Sequence, residues 1–319
     1  MPNLIPKRLK SGSTVVLTGS SNKIKFEEEK LVLVKDLLER EFELEIKFNP
    51  TIHAADKYSV SAGDPKQRAE EFNKLFADPS VRAIWLARGG ETANEMLDLI
   101  NYDTIKRNPK ILIGLSDNTV LINAIQHKTG LVTFHGPDPN IHIPQVYLNS
   151  NYSKKELRRV LLEGSAKQVE PTGVRKTLRK GVATGQTIGG NLKSLLKLAG
   201  TQYWPSTKGK ILFLEAFRTE IRELLSQLTQ LEQVGVFKQI HGIIIGSVFS
   251  FDNEKQFDKR GQRIYYEDIV LDKTHKYDFP ILKIYEFGHR CENTFIPIGI
   301  ECELDAETQT ITYLGPYIQ

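Results

Sequence analysis

The chain has 319 residues, 40% of them hydrophobic and 26% charged, with 43 Lys and Arg against 39 Asp and Glu. Such a composition excludes a disordered chain, a collagen-like chain and a coiled-coil rod. The net charge of +4 is too thin a surplus to form a nucleic-acid-binding stripe. At about 100–200 residues per domain, the length predicts two domains.

In chain order, Ser13 to Gly19 is a β-branched run ending in a turn cluster, which predicts a strand. From Phe26 to Phe42, Leu31, Val34, Leu37 and Leu38 recur at helical spacing among charges. Asp64-Pro65-Lys66-Gln67 reads as an N-cap, a Pro at the first helical position and a capping-box partner. The helix it opens carries Ala69, Phe72, Leu75 and Phe76 on one face. A strand is predicted over Val81 to Ala87, followed by Arg88-Gly89-Gly90 and a helical run through Met96 and Leu97. A further strand, Ile111 to Gly114, precedes a helix from about Asp117 to Gln126. Strands alternating with helices imply a mainly parallel sheet with helices on both faces, an α/β domain over residues 1–140.

Residues 141–180 are polar, with Pro144, Pro171 and many Lys and Arg, and read as a linker holding one helix, Ser153 to Leu162. Its run Lys154, Lys155, Arg158, Arg159 reads as a solvated helix face rather than a phosphate site. Residues 181–319 read as a second, smaller α/β domain richer in antiparallel strand. Strands are predicted at Gly209 to Glu215, Gly242 to Gly246 and Phe279 to Phe287, with a helix from Thr219 to about Val234. Ile298 to Leu304 and Thr308 to Leu314 alternate like a hairpin turned at Asp305-Ala306-Glu307.

Cys291 and Cys302 lack CxxC spacing, so a disulfide framework is not expected and a reducing compartment is the simpler reading. Met1 to Arg8 has no apolar signal region, and no stretch approaches ~18 apolar residues. A soluble cytoplasmic protein is the expectation. No zinc spacing, HExxH, GxxxxGK[ST] or strand-linked GxGxxG occurs, so no metal or cofactor is expected.

The sharpest chemical feature is Ile111 to Val120. A buried strand ends in Gly114-Leu115-Ser116 and passes straight into a helix, as in a nucleophile elbow. There the Ser hydroxyl is pushed above the sheet edge, and the following backbone N–H groups can stabilise an oxyanion. The last Gly of GxSxG is replaced by Asn118, and Ser116 could equally be an N-cap. The Gly89-Gly90 loop lies where ligands of open α/β sheets bind, and could offer a second oxyanion donor, cradle a phosphate or simply turn. A nucleophilic Ser needs a base and an orienting acid. Of His53, His127, His135, His142, His241, His275 and His289, two stand at strand ends, His289 after Gly288 and His135 in Thr133-Phe134-His135-Gly136-Pro137. Glu215 ends an apolar strand, where an unpaired carboxylate is expensive to bury. Asp117 and Glu286 compete with it as the acid.

Together these pieces resemble the LD-carboxypeptidase family, the serine peptidases of the S66 type, which also contains the microcin C immunity proteins. The resemblance spans nearly the whole chain. It is carried, in order, by Arg88-Gly89-Gly90, Asn108-Pro109-Lys110-Ile111 running into Gly114-Leu115-Ser116-Asp117, Thr133 to Pro137, Gly189-Gly190-Asn191-Leu192, Gly209 to Glu215, Phe287-Gly288-His289 and Pro297-Ile298-Gly299. The resemblance implies Ser116 as nucleophile, Glu215 as acid and His289 as base. It also implies an oxyanion hole of the Gly90 and Asp117 amides, with Gly89 and His135 lining the site. It further implies an interdomain cleft, no metal and a homodimer.

The substrate implied is a murein tetrapeptide cut before its terminal D-Ala. Leu115 stands where the carboxypeptidase branch has an aromatic residue, and Gly89-Gly90-Glu91-Thr92-Ala93-Asn94 replaces its Gly-Gly-Tyr-Gly. Asn94, four residues after Gly90, and the Asn108-Pro109-Lys110-Ile111 stretch resemble the immunity branch, whose substrate would be a peptidyl-nucleotide. That substrate asks for an aromatic platform, and Trp85 and Trp204 are the only tryptophans. Arg88 and Arg290 could hold a substrate carboxylate or make structural ion pairs. A non-catalytic two-domain protein binding a small polar ligand in its cleft is the alternative of another class.

Overall fold

The computed structural model describes residues 3–24, 28–139, 150–252 and 254–319. The chain begins with β1 (Thr14–Thr18), α1 (Glu28–Phe42), β2 (Glu45–Phe48), α2 (Pro65–Ala77), β3 (Val81–Leu86), α3 (Tyr102–Arg107), β4 (Ile111–Gly114), α4 (Thr119–Thr129) and β5 (Thr133–His135). The strands pair in parallel in the order β5-β4-β3-β1-β2. Each strand from β1 to β5, β2 excepted, is almost wholly apolar or buried. This is the pattern of parallel strands covered on both faces. The Asp64 carboxylate accepts from Gln67 N–H at 2.9 Å and so starts α2, as its sequence predicts. The expected start of α1 at Phe26 lies outside the described residues.

The second half contains α5 (Asn151–Leu157), β6 (Lys176–Arg179), β7 (Val182–Asn191), α6 (Leu192–Leu196), β8 (Ile211–Ala216), α7 (Ile221–Gln233), β9 (Gly242–Val248), α8 (Phe249–Asp252), β10 (Gln256–Phe257), β11 (Arg263–Ile264), α9 (Tyr266–Lys273), β12 (Ile281–Gly288), β13 (Ile296–Ile298), β14 (Glu301–Asp305) and β15 (Thr310–Tyr313). Its main sheet runs β15-β14-β7-β8-β9-β12-β6. The four central strands are parallel, and antiparallel partners flank them at both edges. The molecule is thus a two-domain α/β protein whose second sheet is the richer in antiparallel pairing.

Three details depart from the sequence reading. The described part of the expected linker is integral: β6 pairs with β12, and Val169 N–H donates to Ile311 C=O at 3.1 Å. Polar residues suit an edge strand that faces water on one side, which is why β6 looked like linker. Residues 140–149, where the boundary was drawn, lie outside the described residues, as do His142 and Pro144. The expected helix to Leu162 is α-helical only to Leu157 and π-helical over Arg158–Glu163, ending at a left-handed Gly164. Finally, Ile298 does not begin the hairpin. It belongs to β13, which pairs antiparallel with β5 and completes the first sheet.

Candidate active site

β4 is fully buried and delivers the chain to Ser116 at the carboxyl edge of the first sheet. The turn there is tight. A Cβ on Gly114 would stand 2.7 Å from that of Asn118, so only Gly fits. Ser116 itself adopts φ 61, a left-handed conformation that costs a non-Gly residue about 1–3 kcal/mol. An N-cap sits in the extended region instead, so Ser116 is not one. A single 3-10 turn, Ser116–Asn118, separates it from α4.

Beside the elbow lies the Gly89-Gly90 loop. A Cβ on Gly89 would fall 2.6 Å from Ser116 Cβ and 2.9 Å from its Oγ, so glycine is what allows this approach. Gly89 N–H donates to Asp138 Oδ2 at 3.2 Å. That engagement leaves the next amide, on Gly90, as the loop's candidate donor toward the cleft. The Asp117 amide stands 3.1 Å from the same Gly89 Cβ position, and Gly90 lines the same cleft as Ser116.

The other half of the site comes from the second sheet. β12 ends at Gly288, whose Cβ would lie 2.7 Å from Ser247 C=O. His289 follows, with Nδ1 2.6 Å from Glu215 Oε2 on β8. With its proton on Nδ1, the ring donates to that carboxylate. Glu215 Oε1 accepts from Asn191 Nδ2 at 3.0 Å. Phe217 stacks on the His289 ring, centroids 4.6 Å apart at 15°. Burial pushes the Glu215 carboxyl upward, but His289, its hydrogen bond, His135 and Asn191 together outweigh this and hold it below the usual range. Glu215 is therefore an anion at neutral pH, as an orienting acid must be. A cleft of about 280 Å³ between the domains is lined by Ser116, Gly89, Gly90, Asn191, Phe217 and His289, among others.

The structure brings together Ser116, Glu215, His289, Gly89, Gly90 and Asp117. It does not bring His135 to the cleft wall, which corrects that expectation. His135 is fully buried, set edge-to-face between Phe213 and Phe287 at 5.4 and 5.8 Å, behind Glu215. A strand end at a sheet edge signals access, but here both neighbouring sheets close over it. Burial pushes its pKa down to about 4.

The rival acids are engaged elsewhere. Glu286 accepts from Thr172 N–H at 2.7 Å and pairs with Arg175, and the Asp117 carboxylate is held by Ser21, Ala93 N–H and Lys197. The Lys154 to Arg159 run pairs with Glu41, Glu156 and Glu170, and it is only partly the solvated face expected: Lys155 is mostly exposed, but Arg159 is mostly buried against the fully buried Glu156. Lys110, of the Asn-Pro-Lys-Ile stretch, donates to Val81 C=O at 2.9 Å and so has a structural place. Trp85 is buried, donating to Pro137 C=O at 2.8 Å, and Trp204 packs half-buried against the core. Among the described residues the cleft's aromatic is Phe217, which the sequence reading missed, as it missed the contacts of Asn191. An aromatic two residues past a strand-end acid was the available signal.

Among the described residues, no group of three or more His, Cys, Asp and Glu could hold a metal ion, and no helix is long and apolar enough to cross a membrane.

The family model of the LD-carboxypeptidase N-terminal domain matches residues 15–136, and that of the C-terminal domain matches residues 184–304. The chain belongs to the LD-carboxypeptidase family. Its relatives in that family include the probable murein peptide carboxypeptidase of Bacillus subtilis (strain 168), 29% identical over 310 residues that cover 97% of this chain and 93% of that one. The microcin self-immunity protein MccF of Escherichia coli is 29% identical over 283 residues, covering 81% and 80%. A solved MccF-like protein from Bacillus anthracis str. Ames has a TM-score of 0.84 at 27% identity, covering 98% of this chain and 99% of that one. Wild-type MccF without ligand has a TM-score of 0.90 at 23% identity, covering 99% and 100%, a likeness of fold. The family and its carboxypeptidase-named members support a carboxypeptidase for this LD-carboxypeptidase-family chain.

Proposed function

We propose that the protein is a serine carboxypeptidase of the LD type, releasing a terminal D-amino acid from a murein tetrapeptide. The observation that carries the reading is the strained Ser116 facing the same cleft as His289, whose far nitrogen lies 2.6 Å from the buried Glu215 carboxylate. His289 Nε2 takes the Ser116 proton as Oγ attacks the amide carbonyl. Glu215 holds the ring's tautomer and balances the imidazolium that forms. The Gly90 and Asp117 N–H groups receive the developing oxyanion. His289 returns the proton to the leaving amine, and water then releases the acid by the reverse sequence. The reading includes a homodimer without a metal, as the family resemblance implied, and the cytoplasmic location that the sequence led us to expect.

The second reading keeps this chemistry but acts on a peptidyl-nucleotide. Asn94 and the Asn108-Pro109-Lys110-Ile111 stretch favour it. Against it, the cleft's aromatic, Phe217, has one face stacked on His289, so an open platform for a nucleobase is not evident among the described residues.

A paired turnover assay tests both. Wild type and Ser116→Ala receive either a murein tetrapeptide or an aspartyl-adenylate-like conjugate, with products read by mass. D-Ala release by wild type and its loss in the variant support the first reading. Cleavage of the conjugate alone supports the second, whereas near wild-type hydrolysis by Ser116→Ala removes Ser116 as nucleophile. Silence on both substrates favours a ligand-binding protein.

A further inference from the structure

We infer that Lys197 is a positioning residue that sets the oxyanion hole from the opposite domain; the inference rests on the serine-hydrolase reading above. Lys197 follows α6 in the second domain, and its side chain reaches into the first. The ammonium donates to three acceptors. They are the Asp117 carboxylate at 2.5 Å, the Glu91 backbone C=O at 2.8 Å and the Glu91 carboxylate at 3.3 Å. Asp117 and Glu91 each belong to an oxyanion loop. Asp117 carries one expected donor amide, and Glu91 directly follows Gly90, which carries the other.

These contacts differ from ordinary surface pairs in burial. Asp117 is completely buried, and Lys197 is only 18% exposed. The other Asp117 oxygen accepts from Ser21 Oγ at 2.6 Å and from Ala93 N–H at 2.8 Å. The carboxylate is thus gripped on both oxygens, which fixes the peptide plane beside the strained Ser116. Charge-assisted hydrogen bonds of this kind are about twice as strong as neutral ones. By contrast the neighbouring pair Lys193–Glu91, at 2.9 Å, is more than half exposed on both sides and contributes little.

α6 also carries a contact at its other end. Its N-cap, Asn191, donates through Nδ2 to the acid Glu215, and its backbone N–H donates to Thr119 Oγ1 on α4 at 3.0 Å. One short helix therefore touches the acid with its N-cap and both oxyanion loops just past its last residue. Lys197 thereby couples oxyanion-donor placement to the seating of the two domains, while touching no reacting atom.

The test compares Lys197→Met with a Lys197→Met/Asp117→Asn double variant in the full chain. The single variant leaves a buried carboxylate without its cation and is expected to lose thermal stability. The double variant removes that unpaired charge and recovers most of it. If Lys197 places the donors, both variants lose about 10²-fold in kcat on a murein tetrapeptide, as loss of one oxyanion donor does. Their KM stays within about 3-fold of wild type by the same argument, and labelling of Ser116 by a serine-directed fluorophosphonate slows in parallel with kcat. Recovery of kcat along with stability in the double variant would reduce Lys197 to a structural ion and overturn the inference. So would wild-type kcat in the single variant. Failure of the wild type itself to hydrolyse peptide or take the phosphonate would instead remove the parent reading.

Discussion

At Glu215 two opposing effects meet in one side chain. Full burial favours the neutral acid, yet His289 and Asn191 keep the carboxyl ionised. Behind it, His135 shows the outcome when burial outweighs the pull of a neighbouring carboxylate, that of Glu215. Neither of its ring nitrogens has a hydrogen-bond partner, and its pKa is pushed down to about 4 from an ordinary 6.5. Between those two values the unfolded chain binds a proton that the folded chain refuses. Stability therefore falls as pH drops from about 6.5 toward 4, by on the order of 3 kcal/mol for this group at the lower end. Replacing His135 with Phe should flatten that part of the stability curve. Thermal unfolding of both proteins from pH 7 to 4.5 checks this, and equal slopes would show that His135 takes up its proton without penalty.

The residues of the site were legible to unequal degrees. Ser116 and Gly114 stood out because a strand, a tight turn and a helix follow within ten residues, a local pattern. The pairing of Glu215 with His289 spans 74 positions and could be reached only through the family resemblance. Lys197 carried no signal, since a lysine after an amphipathic stretch is commonplace, and Phe217 carried only a faint one, its place two residues past a strand-end acid. His135 misled for a physical reason: strand-end position predicts access only if nothing packs over the edge.

Among the elements, β7 does more than extend its sheet. It passes against α4 of the other domain, where Asn123 reads it with both ends of its amide. Asn123 Oδ1 accepts from Gly189 N–H at 3.1 Å, and Nδ2 donates to Gly189 C=O at 2.8 Å. Gly189 has φ +133, and a Cβ there would stand 1.9 Å from the Phe213 carbonyl oxygen on β8. Backbone cannot yield as a flexible side chain can. Gly189→Ala should thus destabilise by more than about 3 kcal/mol, which at about 2.1 cal/mol/K of unfolding entropy per residue corresponds to roughly 4–5 °C in Tm for a chain of 319 residues. Calorimetry measures it, and a loss under about 2 °C would mean that β7 and β8 part easily at this point. The repeated glycines of this strand were visible in the sequence, but their reason was not. Glycine in a strand announces a close approach without saying to what.

For the whole molecule, the two domains are joined by more than a hinge. β13 lies in the first sheet although it comes from the far end of the chain, and Thr187 on β7 bonds to its Pro297 carbonyl. The α6 contacts form a second tie. Two sheets tied this way should unfold together. Differential scanning calorimetry is expected to give a single transition with matching calorimetric and van't Hoff enthalpies, and two resolved peaks would show independent domains. The alternation of strands and helices made both sheets predictable in kind. The crossing of β13 was hidden, because three apolar residues beside a hairpin look like part of that hairpin.

The placement of β13 also bears on how the protein is made. A ribosome releases the first five strands long before residue 296 exists, so for most of synthesis β5 has a bare outer edge. Such an edge recruits other strands. The nascent chain must either wait, shielded by a chaperone, or fold its first sheet provisionally and admit the last strand at the end. Ser116 would then be among the earliest site residues to be synthesised and among the last to stand in a finished sheet.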